Sequence, residues 1–196
     1  GTGKISDFTL KELQELDAAY FFDPKNNYPF RGKGIVFKTL DEILVMFSNI
    51  RFNININENN LLLIDVIADI IKKTGSEDRI LVSSFYHKPL KYIRKKHPCI
   101  ATSLSTYEIF KLYALYKTGL LFLHKRIVGD AMQIHEVLGT SYIANRRFIQ
   151  SVKAGGLKVH ILNVTMENQL IRTMDSGSDG FIVSDLRIFN NLEEGR

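Results

Sequence analysis

The feature that most constrains the fold is a regular alternation of short apolar runs with longer helical stretches from residue 52 onward. Each run has the apolar pattern of a strand, and each helical stretch has apolar residues three or four positions apart. The predicted strands are Phe52 to Asn57, Ile80 to Phe85, Ile100 to Leu104, Ala131 to His135, Val159 to Val164 and Phe181 to Ser184. The predicted helices are Asn60 to Lys73, Pro89 to Lys96, Thr106 to Tyr116, Asn145 to Ala154 and Met166 to Ser176. This alternation indicates βαβ units and a parallel sheet, and therefore an α/β fold.

The number of strands limits how such a sheet can close. A closed (β/α)₈ barrel needs about eight strands, and the pattern supplies about six. We therefore expect a partial (β/α)₈ TIM barrel that lacks its first strands. With 196 residues, 45% of them hydrophobic, the chain is predicted to be a single domain, 1–196.

The residues before this alternation contain two further predicted helices. One runs from Thr9 to Asp17 with Ser6 or Asp7 as its cap, and a short one begins at Thr39. Between them, residues 22–38 contain two prolines together with turn-forming Asn and Gly residues, which is typical of a long ordered loop or a small insertion.

One strand raises a question about function. Its sequence, with the residues that follow it, is RFNININENN, so that Asn53, Asn55 and Asn57 share one face while Phe52 and Ile54 lie on the other. A neutral polar face is costly to bury unless its groups are hydrogen-bonded. The asparagine row is therefore either a solvent-exposed edge or the lining of a site.

Composition narrows the classes of partner and the compartment. A net charge of +5 is mild, and the densest basic run, HKPLKYIRKKHP, lies in a predicted helix without interleaved stacking aromatics, so we do not expect nucleic-acid binding. Cys99 is the only cysteine and is expected to be buried beside Ile100. A single cysteine excludes an intramolecular disulfide and fits a reducing compartment, so we expect a cytoplasmic protein, with a peripheral membrane location as the alternative.

That alternative depends on residues 113–126, which read YALYKTGLLFLHKR. The segment is more apolar than a surface connection, yet it is shorter than the ~20 apolar residues that span a bilayer. We expect a buried helix end, and a lipid-contacting patch remains open.

Several motifs, in order, resemble those of the glycerophosphodiester phosphodiesterase family, whose members are (β/α)₈ barrels. GTGKISDFTLKELQELDAAYFF and YPFRGKGIVFKTLDEILVMF are similar to its GTG and R-G-x-G segments. RFNININ resembles its R-x-N-I-[DE]-I-K strand, ILVSSF its V-x-SF strand, and GLKVHILNVTMENQLIRTMDSGSDGFIVSD its G-L-x-V-x-x-WTVN ending. The likeness covers essentially the whole chain, and some members resemble lysophospholipase D in acting on lipid diesters.

The resemblance implies an activity, its catalytic residues and a metal cofactor. Family members cleave a glycerophosphodiester to glycerol 3-phosphate and an alcohol with two histidines and a divalent metal, Mg²⁺ or Ca²⁺. The catalytic histidines are expected upstream of Gly1, because no histidine here stands in the family's motifs. Asn55 takes the position of the metal-binding carboxylate and Asn57 that of the lysine. Leu162 replaces the family's tryptophan, and Phe85 is a candidate substrate contact.

Two of these substitutions remove charge. An amide is a weaker ligand than a carboxylate for a hard cation, and an asparagine cannot make the ionic bond of a lysine to a phosphodiester. We therefore expect a phosphoric diester hydrolase fold that is inactive as this isolated chain.

The alternative is a non-catalytic module that binds glycerophosphodiesters, lysophospholipids or a membrane surface. Open strand edges also favour self-association or pairing with a complementing N-terminal fragment.

Overall fold

The computed structural model describes residues 2–123 and 127–189. The chain divides into two compact units, Gly1–Asn49 and Ile50–Arg196. The single domain expected from the sequence stays a prediction, and the two units are described in turn.

The first unit contains two short helices, α1 Leu10–Gln14 and α2 Leu40–Met46. Thr9 caps α1 in a capping box with Glu12, and Thr39 does the same for α2 with a glutamate three residues on. The prediction of Ser6 or Asp7 as the first cap was wrong, because only Thr9 has a glutamate at the spacing that completes the box.

Residues 22–38 have one regular element, a 3₁₀ turn at Pro24–Asn26. Arg31 lies over the ring of Tyr28, 3.7 Å from its centroid, and donates from Nε to the carbonyl of Tyr20 at 2.8 Å. The Asp17 carboxylate accepts from the backbone N–H of Gly32 at 2.8 Å. These contacts order the segment as a loop.

The second unit carries the alternation that the sequence predicts. Its strands are β1 Phe52–Asn55, β2 Ile80–Ser83, β3 Ala101–Thr102, β4 Ala131–Ile134, β5 Val137–Leu138, β6 Ser141–Tyr142, β7 Lys158–Val164 and β8 Gly180–Val183. Its helices are α3 Leu61–Lys73, α4 His87–Lys96, α5 Thr106–Lys117, α6 Arg146–Lys153 and α7 Glu167–Met174. The predicted strands and helices are confirmed to within a few residues at each end. The hairpin of β5 and β6 was not predicted.

The main strands form two parallel sheets, ordered β1-β2-β3 and β4-β7-β8. A parallel bridge between Ser103 and Ala131 joins the two sheets through β3 and β4. Across residues 2–123 and 127–189, β1 and β8 each pair with one strand only. The described strands therefore make an open, partial barrel, as expected, and the carboxyl ends of the six parallel strands lie at one edge.

A hydrophobic core cluster lies between β4, β7 and the helices α5 and α6. Phe148 of α6 is fully buried there, with its ring centroid 5.2 Å from that of Tyr113 and 5.1 Å from that of Tyr116. Aromatic pairs at such distances stabilise a core beyond their buried area. This packing fixes α5 and α6 against the strands whose ends form the site.

The apolar segment at 113–126 is partly packed against the core and partly exposed. Tyr113, Tyr116 and Leu121 are half-buried and pack against the core, as expected of a helix end turned inward, whereas Leu120 is 42% exposed. Phe122 is 77% exposed, which leaves a lipid-contacting patch as a prediction, and residues 124–126 lie outside the described residues. None of the described helices has the length and apolar character needed to cross a bilayer.

Cys99 is exposed, contrary to the prediction. It lies in the turn after α4, before β3 begins, where the backbone runs along the surface.

Candidate functional site

The asparagine row begins on β1 and is tied to β2. Asn55 and Ser83 are paired in the parallel register, and Ser83 Oγ donates to Asn55 Oδ1 at 3.2 Å. On its other side, Asn55 Nδ2 donates to Asn57 Oδ1 at 2.7 Å. The Asn55 amide is therefore held through both of its polar atoms, although its side chain is exposed.

A second polar chain crosses the inside of the partial barrel. Asn53 Nδ2 donates to Gln133 Oε1 at 3.4 Å, and Gln133 Nε2 lies 3.4 Å from His160 Nδ1. These residues belong to β1, β4 and β7, which are not sequence neighbours. Burial lowers the pKa of His160 below its usual value, and the negative charge of Asp179 offsets part of this effect.

The end of β2 is shaped by Ser84. Its hydroxyl donates to the carbonyl of Ile56 at 2.7 Å and accepts from the backbone N–H of Tyr86 at 3.1 Å. These bonds tie the chain after β2 to the chain after β1. Phe85, between Ser84 and Tyr86, is 56% exposed beside the strand ends.

A cavity of about 390 Å³ opens at this edge of the sheets. Its volume lies in the lower part of the range of about 300–1,000 Å³ that is usual for small-molecule sites. Neutral amides and hydroxyls, one histidine and a wall of apolar side chains line it. The polar lining residues are Asn53, Asn55, Ser83, Ser84, Ser103, Thr106, Gln133, His135 and Asn163, and the apolar ones are Phe85, Leu104, Ile109, Ile134, Val137, Leu138, Ile143, Leu162 and Ile182.

An irregularity in β7 lies beside this cavity. The pairing of β7 with β8 shifts register between Leu162 and Val164, and Asn163 between them has a φ of +53°. Asparagine tolerates the left-handed region better than most residues, so the bulge suits this sequence. Leu162 lies on the same face of β7 as His160, two residues earlier, and next to it Asn163 also lines the cavity.

Two arginine–glutamate pairs lie beside the lining. Arg94 donates to the carbonyl of Ser103 and binds both carboxylate oxygens of Glu108. Burial raises the pKa of the Glu108 carboxyl, but the hydrogen bonds from Arg94 and Ser105 outweigh it, so the pKa lies below its usual value. Next to His135, Glu136 accepts from Arg172 at 3.0 and 3.2 Å.

The structure brings three of the four residues predicted from the sequence to one cavity. Asn55, Phe85 and Leu162 line it. Asn57 lies beyond the end of β1, outside the lining, and binds the cavity residue Asn55.

Asn53 also lines the cavity and bonds to Gln133. Strand alternation put Asn53 in the asparagine row, as an edge or a site lining, but without a role of its own, and Gln133 was not predicted. Gln133 also lies within a predicted strand, but its meeting with Asn53 depends on the curvature of the sheets.

The donor atoms present do not suit a divalent cation. Hard cations prefer several charged oxygens, whereas the Asn55 amide is neutral and already bonded to Ser83 and Asn57. In the stretches 2–123 and 127–189, no group of three or more His, Cys, Asp or Glu side chains is placed to hold a metal. These residues therefore do not fit the metal that the resemblance implies.

Comparison with known proteins agrees with the motifs. The model of the glycerophosphoryl diester phosphodiesterase family matches residues 1–187. A glycerophosphodiester phosphodiesterase of Caldanaerobacter subterraneus subsp. tengcongensis is 26% identical over 98% of this chain and 74% of its own length.

Solved structures show the same fold. A glycerophosphoryl diester phosphodiesterase domain from Mycobacterium tuberculosis has a TM-score of 0.80 at 13% identity, over 100% of this chain and 78% of that one. An Oleispira antarctica phosphodiesterase, solved with the product sn-glycerol-3-phosphate, has a TM-score of 0.67 at 21% identity, over 93% and 69%. These structures show the shared fold, and the match of the family model over residues 1–187 shows that this chain belongs to the glycerophosphoryl diester phosphodiesterase family.

Proposed function

We propose that the cavity binds a ligand through its glycerol moiety, the part shared by the substrates of glycerophosphodiester phosphodiesterases, and that residues 1–196 do not hydrolyse such a phosphodiester by themselves. The observation that carries the proposal is the convergence of Asn53, Asn55, Ser83 and Gln133 at the carboxyl ends of the strands. Ligands of (β/α)-barrel proteins bind at this edge. The amides and hydroxyls suit glycerol hydroxyls, since each can donate and accept.

Phosphodiester hydrolysis makes further demands on a site. It needs groups that move protons and groups that stabilise the charge of the reacting phosphate. In the described lining, His135 is the only histidine, the residue type used most often as a general acid or base. Asn55, where the family pattern has a carboxylate, neither moves a proton nor carries charge. Binding without turnover is therefore the function that this geometry supports best for residues 1–196.

The family membership supports an alternative, in which these residues form part of an active hydrolase. In that case these residues supply the substrate-binding part of a phosphoric diester hydrolase whose acid–base groups and Mg²⁺ or Ca²⁺ ligands come from outside residues 1–196. The substrate would be a glycerophosphodiester or a lysophospholipid. A lack of turnover by residues 1–196 alone, together with recovery when an N-terminal family segment is supplied, favours this alternative over a purely binding role.

The test combines binding with turnover. The purified chain is expected to give no hydrolysis of glycerophosphocholine above background with Mg²⁺ or Ca²⁺ present. The same ligand, glycerol 3-phosphate or a monoacylglycerol is expected to shift the side-chain amide NMR signals of Asn53 and Gln133. The Asn59 amide, which is exposed and outside the lining, serves as the control.

Two results would contradict the proposal. Hydrolysis that survives repurification and is lost with a chelator would show that the chain turns its ligand over. Unchanged Asn53 and Gln133 signals with all three ligands would show that the cavity is not a glycerol site.

A further inference from the structure

We infer that the cavity selects an uncharged acylglycerol over the phosphate-bearing form of the same molecule. This inference rests on the proposed function, that the cavity holds a glycerol-containing ligand, and it names the class of that ligand. It departs from what family membership alone suggests, and it depends on the charge of the lining and on its apolar wall.

The polar part of the lining that the structure describes consists of amides, hydroxyls and one histidine. No aspartate, glutamate, lysine or arginine is among the described residues that line the cavity. An anionic phosphate that entered would lose hydration without gaining an ionic partner, which is unfavourable. The hydroxyls of a glycerol head lose less, since amides such as Asn53 and Gln133 replace their bonds to water.

The nearby arginines are already neutralised. Arg94 touches the lining through the carbonyl of Ser103, but Glu108 binds its guanidinium through both carboxylate oxygens. Arg172 is held in the same way by Glu136. Neither guanidinium is available to a phosphate unless it gives up its carboxylate.

The apolar wall indicates the second half of the ligand. Half of the lining side chains are aliphatic or aromatic, and most of these come from β4, β7, β8, α5 and the β5–β6 hairpin. A glycerol head alone would leave this wall in contact with water. An acyl chain covers it, and each buried methylene strengthens binding by roughly fourfold. Phe85 and Val137, both lining and both more than half exposed, lie where such a chain would leave the cavity.

The experiment compares three probes by calorimetry and NMR with the full chain, below micelle-forming concentrations. The probes are 1-monooctanoylglycerol, its 3-phosphate and glycerol. We expect monooctanoylglycerol to bind about tenfold or more tightly than the phosphate, and glycerol to bind more weakly than monooctanoylglycerol. Shifts of the Asn53 and Gln133 amides assign the binding to this cavity.

Matched variants place the preference in the lining. Asn53→Lys adds a cation inside the cavity and is expected to reverse the order of the two acylated probes, while Asn59→Lys, the same change outside it, leaves the order unchanged. Leu162→Trp fills the apolar side and is expected to weaken monooctanoylglycerol binding about tenfold. Leu62→Trp is its control, since Leu62 is exposed on α3. Far-ultraviolet circular dichroism confirms folding of each variant.

The outcomes separate the inference from the proposed function. Tighter binding of the phosphate by the parent chain overturns the inference and leaves a glycerol site in place. No binding of any probe overturns both. Equal effects of Asn53→Lys and Asn59→Lys overturn the assignment to this cavity, whereas tighter monooctanoylglycerol binding that Asn53→Lys alone reverses establishes it.

Discussion

Replacing Asn55 by aspartate and Asn57 by lysine introduces both charges that the motif resemblance implies at these positions. The double variant tests whether this end of β1 is a wet site or part of the packed interior. Both side chains are exposed in the structure, so the new charges keep most of their hydration. We therefore expect the double variant to fold and to melt close to the parent chain.

The magnitude follows from the bonds that change. The variant loses the bond of 2.7 Å from Asn55 Nδ2 to Asn57 Oδ1, which contributes about 0.5–1.5 kcal/mol. It gains an exposed ion pair that contributes about 0.2–1 kcal/mol. Ser83 Oγ still has an acceptor at position 55, now a charged one. The free energy of unfolding should therefore change by about 1 kcal/mol or less, which shifts the melting temperature by about 2–4 °C in a chain of this size.

Urea unfolding and thermal melting measure this change, and Ile56→Asp is the control on the other face of the same segment. Ile56 is 2% exposed, so a carboxylate there is desolvated without a partner and should cost several kcal/mol. A double variant that is destabilised as much as Ile56→Asp would refute the placement of Asn55 and Asn57 at a hydrated site. It would also remove the support for a ligand at this edge.

Three further predictions concern the surroundings of the site. Arg94→Met leaves the Glu108 carboxylate without its guanidinium partner. Since the two side chains are only 14% and 16% exposed, the free energy of unfolding measured in urea should fall by about 3–5 kcal/mol. The control Arg187→Met breaks an exposed pair and should lower it by about 1 kcal/mol or less. Because the pKa of His160 lies below its usual 6.5 in the folded chain, the unfolded chain takes up the proton first, and stability should fall as the pH drops below about 6.5. His160→Gln should show a smaller loss over the same pH range. If Phe122 contacts lipid, the parent chain co-sediments with anionic vesicles and Phe122→Glu does not; equal sedimentation of the two would exclude that contact.

Much of the second unit could be predicted because its signals are local. The apolar spacing of α3 and α5 and the short apolar runs of β2 and β7 lie within windows of a few residues, where backbone geometry fixes the period. The sequence also contains local signals for two features that were not predicted, the cap of α1 and the β5–β6 hairpin. Thr9 and Glu12 have the spacing of a capping box, and Gly139 with Thr140 forms a two-residue turn between β5 and β6.

The candidate site was less predictable because its contacts are distant in sequence. Asn53 and Gln133 are 80 residues apart, and no local pattern says that β1 and β4 face each other inside a curved sheet. The presence of Asn163 in the lining accompanies the bulge in β7, which an asparagine at this position permits but does not by itself predict. Motif resemblance supplied Leu162 and Asn55, because it carries three-dimensional information that strand periodicity lacks.

The positions that depart from the family pattern have a structural property in common, and it explains how such a chain can keep its fold. Asn55 is exposed and Leu162 is only partly buried at the strand ends, whereas the packing of Phe148 against α5 is fully buried. Changes at hydrated strand ends cost little stability, while changes in the core cost several kcal/mol. The barrel framework therefore does not depend on which charges its mouth carries. For this reason the stability of the Asn55 and Asn57 variant, the ligand selectivity of the cavity and turnover can be measured as independent properties. A loss of catalysis need not be accompanied by a loss of binding.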